Sequence, residues 1–155
     1  MKIKPSYFVI PAIVVCISLL GQYFTTQWMA RYATLQLNSL TPPGYVIGIV
    51  WTIIFILSTL SALLFWNKSE HDKKFGIAIS LFIDNALLNV LRSWLFFVKH
   101  WVLASIIEMG LLFIVTVLLI LAVWNRAKWS WILLIPYALW LIIATFLAFN
   151  VLLLN

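Results

Sequence analysis

Five apolar runs, each about long enough to cross a bilayer, leave this chain little choice of fold: Tyr7 to Phe24, Gly44 to Trp66, Phe75 to Val98, Trp101 to Trp124 and Trp131 to Leu154. A spanning helix needs roughly 20 apolar residues to cross about 30 Å of hydrocarbon. Backbone groups at that depth must pair within the segment, which makes each run a helix. Of the 155 residues, 65% are hydrophobic and 9% charged, with a mean hydropathy of +1.12, so a water-soluble domain is excluded. The expectation is an all-α integral membrane protein, a five-transmembrane-helix bundle forming a single domain over residues 1–155.

The net charge of +6 does not point to nucleic acid, because the basic residues sit singly at segment ends and form no basic face. They encode topology. One side of the membrane collects Lys2, Lys4, Lys68, Lys73, Lys74, Arg126 and Lys128, and the other only Arg31 and Lys99. The positive-inside rule then places the N-terminus inside and the C-terminus outside, in a multi-pass cell-membrane protein. Lys2 and Lys4 before the first run resemble a signal peptide, but no Ala-x-Ala site follows, and that run reads as a retained anchor. The single cysteine, Cys16, allows neither an internal disulfide nor a cysteine-based metal site. His71 and His100 each stand without a second ligand nearby, so no metal is expected.

The connection from Thr25 to Pro43 is long for a helix bundle, and Trp28, Tyr32 and Leu35 within it recur at helical spacing. A short amphipathic helix lying on the outer surface is expected there, as an interfacial anchor or a lid. Pro42 and Pro43 close the connection and start the second run, because proline suits a first helical turn. Behind them Gly44 and Gly48 form a small-xxx-small pair that allows close helix approach, followed by Trp51 and Phe55. In the first run, Pro11 predicts a kink.

Most of the nine tryptophans fall where membrane proteins keep aromatic belts. Trp66, Trp124, Trp129 and Trp131 are expected at the inner interface, and Trp28, Trp94 and Trp101 at or near the outer one. Trp51 and Trp140 are different. At ~1.5 Å of rise per residue, Trp51 lies on the order of 10 Å below the outer face and Trp140 near mid-membrane, so one cavity could hold both.

Polar residues inside spanning segments are costly and face protein or a water-filled cavity. In the third run Asn85, Asn89 and Arg92 fall within about 60° on a helical wheel. Arg92 precedes His100 by as many residues as Glu108 follows it, which predicts an Arg92–Glu108 ion pair at equal depth on adjacent helices. Asp84 is expected near mid-membrane. In the fifth run Tyr137, Trp140, Ala144 and Ala148 share a face, its alanines suited to a packed seam. Aromatic rings opposite amides and a cation suit a flat apolar ligand with polar edges.

In this order and spacing the residues resemble the TspO/MBR family, the tryptophan-rich sensory proteins and mitochondrial translocator proteins. Thr41-Pro42-Pro43-Gly44, Gly48 and Val50-Trp51-Thr52 are similar to W-x-P-P…G-x-V-W-T. Asn85-Ala86-Leu87-Leu88-Asn89 with Phe96-Phe97 is similar to Q-L-A-L-N…F-F. Leu134-Ile135-Pro136-Tyr137-Ala138-Leu139-Trp140, then Ala144-Thr145 and Leu154-Asn155, are similar to L-L-P-Y-x-x-W…A-T…L-N. The chain departs from the family pattern at Arg31, Leu37-Asn38, Leu40, Arg92 and Ala148, and carries no sterol-recognition pattern near its end.

The resemblance implies a five-helix bundle, often a homodimer, that binds porphyrins or other apolar ligands beneath the loop between its first two spans. The binding residues expected are Tyr32, Pro42, Pro43, Gly48, Trp51, Phe55, Asn85, Asn89, Tyr137 and Trp140, joined by Arg92, which departs from the family pattern and enters from its place on the polar stripe; the resemblance implies no covalent cofactor and a tetrapyrrole of porphyrin or haem type as the ligand. It also implies light-dependent porphyrin breakdown in some members, with Trp51 and Trp140 at the positions concerned. No hydrolase, zincin or dinucleotide motif accompanies these residues, so an enzyme is not the expectation. The alternative is a small carrier or proton-coupled translocator using Asp84, Asn89, Arg92 and Glu108 as a polar path.

Overall fold

The structure, a computed structural model, describes residues 4–27 and 29–155, without the side chain of Arg31. Lys2, Trp28 and the Arg31 side chain, to which the sequence assigns topological and lid roles, lie outside the described residues. Among the described residues six α-helices follow in order: α1 Ser6–Gln27, α2 Met29–Tyr32, α3 Gly44–Lys68, α4 Lys73–Ser93, α5 Val102–Trp124 and α6 Lys128–Leu154. All but α2 are long and apolar enough to cross a membrane, and the π-helical turn Trp94–Val98 extends the α4 span to 26 residues. The lid helix is shorter than the spacing of Trp28, Tyr32 and Leu35 predicts, because the chain leaves helical geometry after Tyr32.

The helices form one bundle with two unlike ends. The lid end carries residues 33–43 and the turn at residues 99–101, and the basic end carries the connections α3–α4 and α5–α6. At the lid-end turn, Lys99 N–H donates to Trp94 O at 3.1 Å and Trp101 N–H to Leu95 O at 3.1 Å. His100 then adopts a left-handed φ of 58°, which reverses the chain within a few residues.

Lipid tails are as apolar as leucine, so packing and hydrogen bonds hold such a bundle together more than burial of apolar area does. Antiparallel α3 and α6 are latched at their basic ends by Ser61 and Ser130, both fully buried. Each hydroxyl donates to the other residue's backbone carbonyl at 2.9 Å, and the two hydroxyls lie 2.8 Å apart. Around this latch Phe65 stacks on Phe75 at 5.3 Å, and Leu112, Leu119, Leu134 and Leu141 fill the interior. The first helix is held differently. It runs on through Pro11, and Ser6, which donates to Asn67 Oδ1 at 3.3 Å, is its one buried residue.

Exposure supports the aromatic belt. Trp124, Trp129 and Trp101 are exposed, and Trp131 stacks on Trp124 with ring centres 4.0 Å apart. At the basic end Asp72 caps α4 by accepting from Phe75 N–H at 2.8 Å, and Arg126 grips the same carboxylate with two hydrogen bonds of 2.8 and 2.6 Å. The guanidinium, and after it the Phe75 N–H, hold the Asp72 carboxyl down at about 2 against its usual 3.8. A lowered folded-state value means that the tie is complete above pH 3.8 and lost as pH falls through about 2. A carbon-13 titration of Asp72 should show that low midpoint, and Arg126→Leu should move it back toward the ordinary carboxylate range.

Candidate ligand-binding chamber

The lid half of the bundle carries a cavity of about 870 Å³, open along part of its wall and within the size range of small-molecule sites. Pro42 and Pro43 position one wall. Pro43 sits just ahead of α3, where a missing N–H costs nothing, and its carbonyl accepts from Val46 at 2.9 Å and Ile47 at 3.3 Å. Gly44 and Gly48 come next, and here the structure corrects the sequence expectation. No described atom lies within 4 Å of where a β-carbon at either glycine would sit, so no helix of this chain packs there. Their face opens on the chamber instead, as does the Ala144 and Ala148 face of α6.

Trp51 and Trp140 line the same chamber. The Trp51 ring meets Tyr137 edge-on at 6.1 Å, and the Arg92 guanidinium carbon lies 4.2 Å from the Trp51 ring centre. Such a cation–aromatic contact is worth ~2 kcal/mol when desolvated. Trp140 is 8% exposed, and its indole N–H has no hydrogen-bond partner among the described residues.

Below these rings runs a polar network. Tyr137 donates its hydroxyl to Asn85 Oδ1 at 3.0 Å, Asn85 Nδ2 donates to Thr116 Oγ1 at 2.8 Å, and Asn89 Nδ2 donates to the Tyr137 hydroxyl oxygen. Asn85 and Asn89 thus face protein, as their stripe predicts. Asn89 Oδ1 stays unpaired at the chamber wall.

The expected Arg92–Glu108 ion pair is not made. Among the described residues the ion pair is that of Arg126 with Asp72, at 2.6 Å. Residue counting set depth but not direction: Arg92 turns toward α3 and the Trp51 face, and Nη2 donates to Ser93 Oγ at 3.3 Å. Glu108 is 6% exposed, and neither of its carboxyl oxygens has a hydrogen-bond partner among the described residues. Asp84 also departs from expectation. One residue from Asn85 is about 100° around the helix, so Asp84 lies on the exposed surface of α4, away from the polar path assigned to it.

The lid is fastened over the chamber. Tyr32 lines it and packs against Phe96 and Phe97 at 6.3 and 6.2 Å. Farther along, Gln36 exchanges two hydrogen bonds with the Asn155 side chain, at 2.9 and 3.0 Å, and Asn38 Nδ2 donates to Asn150 Oδ1 at 3.0 Å. The lid is thereby pinned to the end of α6.

A second cavity of about 1210 Å³ lies between α1, α3 and α4 and reaches the basic end at Lys4, Glu70 and His71. Val14, Ile17, Phe55 and Asn89 line both cavities and form the partition between them.

Of the residues expected to bind ligand, Tyr32, Gly48, Trp51, Phe55, Asn89, Arg92 and Trp140 line the lid-half chamber. Asn85 and Tyr137 face the second cavity, while Pro42 and Pro43 line neither and serve as the start of α3. Sequence reasoning passed over Ser93, Ser105 and Met109, which also line the chamber, and Thr116, which completes the network. A serine or threonine within an apolar span is the signal that Ser93, Ser105 and Thr116 carried, and Met109 carried none. Among the described residues no group of three or more His, Cys, Asp or Glu could hold a metal ion.

Together the fold and chamber define a multi-pass helical membrane protein with an aromatic, partly polar cavity beneath a lid. A profile of the TspO/MBR family matches residues 9–154, and the chain belongs to that family. It is similar to the tryptophan-rich protein TspO of Bacillus cereus, at 36% identity over 77% of each chain. It is also similar to the protein of that name from Archaeoglobus fulgidus, at 31% identity over 92% of each chain. Protein CrtK of Rhodobacter capsulatus is 24% identical over 81% of this chain and 79% of its own.

Proposed function

We propose that this membrane protein binds a tetrapyrrole of protoporphyrin or haem type in the lid-half chamber, in a sensing, transport or photochemical role. The observation that carries the reading is the convergence of Trp51 and Trp140 on one cavity with the Arg92 guanidinium and Asn89 at its wall. Flat aromatic faces suit a macrocycle, and the guanidinium suits a ligand carboxylate, with which it forms charge-assisted bonds. The basic end, with Lys68, Lys73, Lys74, Arg126 and Lys128, is the cytoplasmic one in this reading, which leaves the lid outside.

Titrating the purified protein with protoporphyrin IX while following tryptophan fluorescence tests this site. Saturable quenching is expected in the wild type and most of it should vanish in Trp51→Phe/Trp140→Phe. Quenching of equal depth in the double variant would remove the site from consideration.

A carrier role is favoured by one further observation, the partition shared by the two cavities, which together reach from the lid to the basic end. Porphyrin flux into liposomes that carry the protein, above that of empty liposomes, would support passage. Binding without flux would leave a sensor or a photochemical site.

A further inference from the structure

We infer that Glu108 is a proton-binding site coupled to the chamber, which takes up a proton when an anionic ligand binds to Arg92. The inference rests on the tetrapyrrole reading and specifies how charge is balanced within it. Five buried polar groups without a full set of partners gather at this end of the bundle: Asn89 Oδ1, Arg92 Nε, Ser105 Oγ, both Glu108 oxygens and Trp140 Nε1. All but Glu108 belong to residues lining the chamber. Glu108 lies just behind that wall, one turn from Ser105 and next to Met109 on α5, both of which do line it.

Arg92 of α4 is the charged group that acts on Glu108 among the described residues, and Glu108 acts in turn on the Tyr137 phenol of α6. At a pH high enough for Glu108 to be ionised, Arg92 balances it and the ligand-free site is neutral overall. Arg92 Nε and the indole N–H of Trp140 are unpaired donors that a ligand carboxylate can use. Its arrival leaves two negative charges against one positive charge in a water-poor interior, where that excess is far more costly than in water. Protonating Glu108 restores neutrality. The proton comes from bulk water, and the Ser105 hydroxyl, unpaired and facing the chamber, stands on the route to the carboxyl.

The experiment compares protoporphyrin IX with its dimethyl ester, in weakly buffered nanodiscs with a pH indicator. For the wild type, the free acid should bind with uptake of about one proton and the ester with none, and the dissociation constant of the acid should rise up to about tenfold per pH unit across the window of uptake. Glu108→Gln should bind the free acid without uptake and with a pH-independent constant, whereas Glu108→Asp should restore uptake. If Glu108→Gln does not fold, infrared difference spectra of the wild type provide the same readout, a protonated-carboxyl band that appears with the acid and not with the ester. Binding of the acid without uptake, or equal uptake in Glu108→Gln, overturns the inference and leaves the tetrapyrrole reading standing. Saturable binding of neither porphyrin overturns both.

Discussion

Replacing Arg92 by leucine should weaken binding of free-acid porphyrin by about 10- to 100-fold while leaving its dimethyl ester nearly unaffected. A hydrogen bond to a charged group contributes about 1.5–3 kcal/mol, which sets that range. The guanidinium lies over Trp51 with Nε unpaired, so its donors are available to a carboxylate without breaking an ion pair. The change also removes the contact with Trp51 and the positive charge that balances Glu108, so the thermal midpoint in detergent should fall, and the acid-to-ester comparison, which cancels any loss common to both ligands, is the readout. Equal loss for acid and ester would mean that Arg92 shapes the chamber and contributes no charge to ligand binding.

The second large effect is expected at the basic end. Ser61→Leu should lower stability by about 3 kcal/mol or more, read from unfolding in mixed micelles, because it forces extra volume into a contact where both serines are fully buried. It also strips the Ser130 carbonyl of its donor. Ser61→Ala is the control. It removes one hydrogen bond and keeps the one from Ser130 to the Ser61 carbonyl, so it should cost only about 0.6 kcal/mol, typical of interhelical bonds in membranes. If both variants unfold alike, the close approach of α3 and α6 does not depend on this latch.

The five spans were legible because length and hydropathy alone decide them, and the buried stripe of Asn85 and Asn89 followed from helical periodicity. Trp51 and Trp140 stood out because no interface lies at their depth. What escaped was direction and fine geometry. Counting from His100 matched Arg92 with Glu108 in depth, yet it could not show that the guanidinium would lie over an indole on α3. The wider turn at Trp94–Val98 interrupts α-helical register between α4 and α5, and nothing in Trp-Leu-Phe-Phe-Val announces it. Gly44 and Gly48 carry the signature of a packed seam, but a small residue also leaves room for a ligand, and spacing does not distinguish the two. Ser61 and Ser130 read as isolated polar residues until the antiparallel pairing of α3 and α6 brings them together.

The slight attachment of the first helix bears on how a guest enters. Nearly all of α1 except Ser6 is at least partly exposed, and its Val14 and Ile17 form part of the wall of both cavities. A hydrophobic guest dissolved among the acyl chains can therefore arrive sideways, past a helix that has little to lose by moving aside. A disulfide tethering α1 to α4 should then slow both entry and exit of the guest while leaving its equilibrium affinity nearly unchanged.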